Sequence, residues 1–417
     1  MESSTKIVIF ASPLHDSTSV LGCRENLMNE LRSSHKVEFI DSNEISEKAV
    51  ENGYIIAFIA TGGVEEQFKR LCKSLSRPVL LLSDSYHNSL AASMEISTWL
   101  NQSKIPHRHF NFPIEPTRKY LDKFEELLSV MFKIQETLSK LAKMRIGLIG
   151  GESSWLISSA VECDTVSQKY GTTFVKIDVS EVEKKYKSAS LSENLKCRAQ
   201  SLSGTLCKGS STNDVEEALK MYSAIKEIVK EYSLDALTIK CFDLLESCST
   251  TSCLALSMLN DEGIISGCEG DIPSLWSMIL ARLLCGSASF MSNPSSIERA
   301  DKSIDFAHCT APLSMGKKFM LSSHYESKLG IGISLKLPLD KFTLFKCGGP
   351  QLDRHFAFNG EIIQNTTVVE RCRTQVKYQF SNVDDIDHYL DSHLGNHSIL
   401  IQGWHKDIIN TFFSTIG

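Results

Sequence analysis

The sequence predicts an α/β protein built from two doubly wound Rossmann-like units followed by a β-rich C-terminal domain. Three observations carry this. Short apolar runs alternate with stretches of helical spacing over the first third of the chain. The same alternation restarts near Arg145. From about Ser303 the periodicity changes to a series of short strand signals. Continuous apolar strands separated by amphipathic helices imply parallel sheets covered on both faces.

In the first unit, Lys6–Ala11, Lys36–Ile40, Tyr54–Ala60 and Pro78–Ser83 are the strand-like runs, with His107–Phe112 as a fifth. Between them Ser19–Ser33, Glu65–Ser76 and Leu90–Gln102 have helical spacing. A long charged amphipathic helix, Tyr120–Lys143, closes the unit, which gives a first domain at 1–143. The second domain, 144–300, opens with the strand Arg145–Gly150 and continues with Thr173–Asp178, Ala236–Cys241, Gly263–Gly267 and Ala288–Ser292. Its helices are Thr212–Tyr232, with Thr212 or Asn213 as N-cap, Thr250–Asn260, and Ile272–Cys285 with Pro273 in the first turn. The third domain, 301–417, reads as strands at Ser303–Thr310, Phe319–Tyr325, Ile331–Leu337, Phe342–Lys346, Glu361–Gln364, Val376–Phe380 and His397–Gln402. Helices are expected at Val383–Leu390 and Asp407–Thr415.

Composition narrows the function classes. The 417 residues are 42% hydrophobic and 23% charged, a globular mix. The 44 Lys and Arg against 50 Asp and Glu leave a net charge of −6. There is no basic excess to neutralise a phosphate backbone, which argues against a nucleic-acid partner. No apolar run has the length of a membrane span. Ile7–Ala11 is too short for a signal-peptide core, so a cytoplasmic location is expected. The thirteen cysteines contain no C-x-x-C pair. They read as reduced, small buried hydrophobes rather than a disulfide framework or zinc ribbon.

Gly62–Gly63 and Gly150–Gly151 each follow a strand and read as tight turns or anion cradles. Neither is a dinucleotide or P-loop fingerprint, so no nucleotide cofactor is predicted. Gly267-Cys268-Glu269-Gly270-Asp271-Ile272-Pro273 is more informative. A strand ends in two carboxylates spaced i, i+2, and a helix starts immediately after. Ligands of open α/β sheets bind at the carboxyl ends of strands, which suits Glu269 for metal or acid–base work. Asp271 fits the same work if the strand continues, because i and i+2 then point the same way. It also fits the N-cap of the next helix. Downstream, His308 lies late in one strand and His397 at the start of another. Lys240 ends the strand beside the one leading to Glu269.

Taken together, these segments resemble the L-fucose isomerase and L-arabinose isomerase superfamily. Glu269-Gly270-Asp271 resembles the E-G-D stretch of arabinose isomerases. Phe290-Met291-Ser292-Asn293 stands where those enzymes carry an F-M-E-D-like strand with a second acidic ligand. His308 follows near the place of their first histidine ligand, and Gly395–Ile409 resembles the late N-H segment of fucose isomerases.

The resemblance implies a metal-dependent aldose–ketose isomerase acting on a small sugar through a cis-enediol. Glu269, His308 and His397 would hold a divalent ion, Mn²⁺ by resemblance, though a carboxylate with imidazoles also suits Co²⁺, Fe²⁺, Ni²⁺ or Zn²⁺. Glu269 and Asp271 would be the catalytic carboxylates. Lys240, Asn293 and Asn396 would contact the sugar. A homo-oligomer, trimer or hexamer, is implied as well. The departure is Ser292–Asn293 in place of the second acid. It supports an alternative reading, a sugar-binding or regulatory protein of the same fold. A metal-dependent aldolase or lyase is a third.

Overall fold

The computed structural model describes residues 5–35, 37–45, 55–72, 78–207 and 209–416. The chain divides into two compact units, 1–136 with 411–417, and 137–410.

In the first unit the described strands form a parallel sheet. They are β1 (Thr5–Phe10), β2 (Val37–Asp41), β3 (Ile55–Ile59), β4 (Val79–Ser83) and β5 (His107–Asn111), in the order β2-β1-β3-β4-β5. Central β3 and β4 are buried throughout, which is why they read as unbroken apolar runs. Alternation sends Val8 and Phe10 into one core with Phe68, Ile96 and Leu100. It sends Ile7 into another with Phe58, Leu82 and Phe124. The helix expected at Ser19–Ser33 is two, Ser17–Gly22 and Glu25–His35. The break has a cause. Arg24 turns inward, pairs with buried Asp84 at 2.5 Å and donates to the Ala60 carbonyl at 2.6 Å. The expected starts at Lys36 and Tyr54, and the helix end Lys73–Ser76, lie outside the described residues.

The second unit opens with a parallel sheet of β6 (Arg145–Ile149), β7 (Thr173–Ile177), β8 (Ala236–Ile239) and β9 (Ile265–Gly267), ordered β7-β6-β8-β9. Four helices not anticipated from the sequence, Cys163–Tyr170, Val179–Ser188, Glu193–Ser203 and Asp243–Cys248, lie in this unit. The second buries Val182 and the third only Ala199 and Leu202, so neither carries a readable apolar stripe. Helix Thr212–Tyr232 forms where expected, but its cap is Ser211 in a capping box with Asp214, not Thr212 or Asn213.

The β-rich region contains a closed barrel. Its strands are β10 (Ser289–Glu298), β11 (Ser303–His308), β14 (Lys341–Gly348), β15 (Arg354–Asn365), β16 (Thr374–Phe380) and β17 (Ser398–Gln402), ordered β10-β11-β16-β15-β14-β17. β12 (Lys318–Ser322) and β13 (Gly332–Lys336) form a separate two-stranded sheet, tied to β16 through the Thr374 hydroxyl. Two strands outrun their sequence signals. β10 continues past Ser292 to Glu298, because a bulge between Pro294 and Ser296 lets the pairing resume. β15 starts at Arg354 rather than Glu361; its first half pairs with β14 despite a polar opening. The last strand, β17, lies between β10 and β14 and shuts the barrel. Among the described residues no helix is long and apolar enough to cross a membrane.

One glycine guards the barrel wall. A Cβ on Gly360 would sit 2.3 Å from the Gln379 carbonyl oxygen and 2.5 Å from the Tyr378 ring. Backbone cannot yield as a flexible side chain does. Gly360→Ala is expected to cost about 1–3 kcal/mol, read as a lower midpoint in chemical denaturation of the full chain.

Candidate metal centre

The site forms where β9 ends and the barrel strands begin or finish. After β9 the chain runs through Cys268 into two left-handed residues, Glu269 (φ 62°) and Gly270 (φ 66°). Gly270 is required there: a Cβ would lie 2.9 Å from the Ser153 nitrogen and 3.0 Å from the Gly151 oxygen. The pair reverses the chain, and helix Ile272–Cys285 starts at once. Its N-cap is Asp271, which accepts from the Ser274 amide at 2.9 Å and from the Ser274 hydroxyl at 2.7 Å.

Strand alternation therefore stops at Glu269. The period-two argument that would align Asp271 with Glu269 does not apply, because left-handed backbone intervenes. Glu269 keeps 14% of its side chain accessible, while Asp271 is sealed at 1%.

His308 is the last residue of β11, and His397 immediately precedes β17. The structure brings both to Glu269. Glu269 Oε1 lies 3.4 Å from His308 Nε2 and 3.6 Å from His397 Nε2. One donor atom from each of the three residues falls within 4.8 Å of the others. These spacings are long for hydrogen bonds. They suit a shared cation, since donors about 2.0–2.2 Å from one ion stand roughly 3–3.5 Å apart. His397 Nε2 is buried with no hydrogen-bond partner and is turned toward Glu269. On this donor set the residues fit a divalent ion.

Behind the centre the partners are ordered. His397 Nδ1 donates to Asp271 Oδ2 at 2.8 Å, which leaves Nε2 facing Glu269. Asp271 in turn meets Lys346 Nζ from β14 at 3.2 Å, and Lys346 also contacts the Ser274 hydroxyl. His308 Nδ1 lies 3.1 Å from the Thr310 hydroxyl. Burial raises the Glu269 carboxyl, but the two imidazoles outweigh it and hold Glu269 well below the usual carboxylate range. Burial acts on Asp271 in the same way and is overcome by Lys346, then His397 and Ser274. Burial lowers His397, yet Asp271 and Glu269 together raise it.

The remaining sequence candidates fall differently. Asn293, on β10 opposite Ala307, has a buried Oδ1 with no hydrogen-bond partner. Ser292 is fully buried and donates to the Ser398 carbonyl. Lys240 follows β8, threads its stem beside Gly150 and Gly270, and lies 3.4 Å from Asp243. Asn396 is exposed. Gly63, Gly150 and Gly151 all take positive φ in turns. Sequence reasoning passed over Lys346. The signal was a lysine inside the apolar run Phe342-Thr343-Leu344-Phe345-Lys346-Cys347, where a buried cation demands a carboxylate.

No family model matches the chain. It is similar to proteins named sulfoquinovose isomerase. The protein from Alkalicoccus urumqiensis is 27% identical over 262 residues, 59% of this chain and 58% of that protein. The one from Clostridium sp. (strain MSTE9) is 26% identical over 220 residues, 51% and 49% of the two chains. The one from Priestia aryabhattai is 25% identical over 274 residues, 62% and 58%. The chain thus matches between 49% and 58% of the length of these relatives.

Proposed function

We propose that this protein is an aldose–ketose isomerase that works with a divalent ion at Glu269, His308 and His397. The observation that carries the reading is the unpartnered, buried His397 Nε2 facing Glu269 at 3.6 Å. Similarity to proteins named sulfoquinovose isomerase supports the reaction class and makes sulfoquinovose the first sugar to test. The bound ion supplies Lewis-acid polarisation of the sugar carbonyl. Glu269, kept ionised beside the imidazoles, is the one carboxylate of the ligand cluster and is assigned the proton transfer between carbons 2 and 1 through a cis-enediol. Asp271 is a positioning residue: it holds the His397 ring and is itself sealed from solvent. Asn293 offers its free amide oxygen to a sugar hydroxyl or to the ion. Lys240 lines the same strand ends and is assigned to the sugar's polar groups.

A specific observation favours a second reading, binding without turnover. Ser292, where the resemblance expects an acid, is buried and spends its hydroxyl on the Ser398 carbonyl. One experiment separates the two. Protein loaded with Mn²⁺, Co²⁺ or Mg²⁺ is given sulfoquinovose and a panel of aldoses in D₂O, followed by NMR. Ketose formation with deuterium entering at carbon 2 of the recovered aldose supports isomerisation. Saturable binding with no exchange supports the second reading and ends the first.

Two variants test the centre itself. Native protein desalted after Mn²⁺ loading is expected to keep about one ion per chain, and His397→Ala to keep none. Asp271→Ala leaves Lys346 as an unpaired buried cation. It should cost about 3–5 kcal/mol in denaturant unfolding and weaken the ion about 10–100-fold, measured by equilibrium dialysis on protein that remains folded.

A further inference from the structure

The metal centre is surrounded by thiols that the proposed reaction does not use. Cys268 directly precedes Glu269 and Cys309 directly follows His308. One pair stands out by geometry. Cys241 Sγ and Cys268 Sγ lie 3.2 Å apart. They sit at the carboxyl ends of the neighbouring parallel strands β8 and β9. The paired register ends at Thr238 and Gly267, so the two thiols meet across the turns that follow the strands. Cys268 is buried at 3%, whereas Cys241 is part-exposed and open to a small oxidant.

We propose that Cys241 and Cys268 form an oxidative modification site, closing to a disulfide under a peroxide and thereby disabling ion binding at Glu269. The coupling to the ion rests on the reading of the metal centre given above; the disulfide itself does not. The step balances with hydrogen peroxide as oxidant. The Cys241 sulfur attacks one peroxide oxygen, the O–O bond breaks, and a sulfenic acid and water result. The Cys268 sulfur then attacks that sulfenic sulfur, the S–O bond breaks, and a second water leaves with the thiol proton. Two thiols are oxidised by two electrons and one peroxide is reduced to two waters.

The consequence follows from where the bond forms. Closure from 3.2 Å to about 2.05 Å draws together the turns after β8 and β9. Glu269 follows Cys268 immediately and is held in left-handed backbone against Gly270, whose neighbours Gly151 and Ser153 leave no slack. A shift of about 1 Å in a ligand is enough to spoil a site of this kind. By reciprocity, a bound ion resists the disulfide by the same factor as the disulfide weakens the ion.

The test treats the full chain with hydrogen peroxide, with and without Mn²⁺, then blocks remaining thiols by alkylation. Cys241, Cys248, Cys253 and Cys268 share one tryptic peptide, so cleavage at Asp243, Glu246, Asp261 and Glu262 is needed to separate them. Expected is a Cys241–Cys268 linked pair, lighter by two hydrogens, with two of the thirteen thiols no longer alkylated. Mn²⁺ affinity should fall about tenfold or more and return with dithiothreitol. Preloaded Mn²⁺ should slow the linkage, and Cys241→Ser should keep its affinity through the treatment. Absence of the linked pair, or a link elsewhere in its place, overturns the site. A linked pair with unchanged Mn²⁺ affinity overturns the coupling. If neither form binds an ion, the metal reading and the coupling fall together, while the linked peptide still decides the modification site.

Discussion

A buried chain of charge holds the centre together. Lys346 on β14, Asp271 at the head of helix Ile272–Cys285 and His397 ahead of β17 form one continuous contact, each side chain nearly or fully sealed from solvent. Three separate pieces of the chain meet there, and none tolerates the others' absence. An unpaired carboxylate or ammonium in that environment costs several kcal/mol. The same contact caps the helix, orients the imidazole and links the wall of the barrel to the turn bearing Glu269. Packing reinforces it: helix Ile272–Cys285 lies against β9, β10, β14 and β17, the strands that supply or flank the ligands.

Much of this arrangement was legible in the sequence, for reasons that can be named. β3, β4 and β8 are buried on both faces, so their apolar runs are unmistakable. Helix Ile272–Cys285 announces itself through Asp271, Pro273 and an apolar body. Glu269, His308 and His397 were legible as stations in order, and the barrel's closure brings the two histidines to the carboxylate. What stayed hidden depends on tertiary contact. Helix Val179–Ser188 buries a single residue and has no stripe to read. The split at Arg24 is set by Asp84, sixty positions away in the chain. The separation of Asp271 from Glu269 is set by two φ angles that spacing does not encode. Lys346 looked like a strand end because its partner lies on another element.

The centre is asymmetric in a way that matters for its chemistry. Its ligand cluster holds a single carboxylate and two imidazoles, and the serine on β10 spends its hydroxyl on backbone. On the proposed reading, a lone carboxylate serving as ligand and base would tie the site's charge to its ion. The amide oxygen of Asn293 on β10 is neutral, buried and without a hydrogen-bond partner.

Glu269 occupies backbone that side-chain-bearing residues seldom adopt, at φ 62°. Holding a non-glycine residue there costs about 1–3 kcal/mol. A glycine at that position would relieve the strain and lose the carboxylate. The turn is therefore a place where folding stability and ligand placement pull in opposite directions, a local trade-off of the kind expected at functional sites.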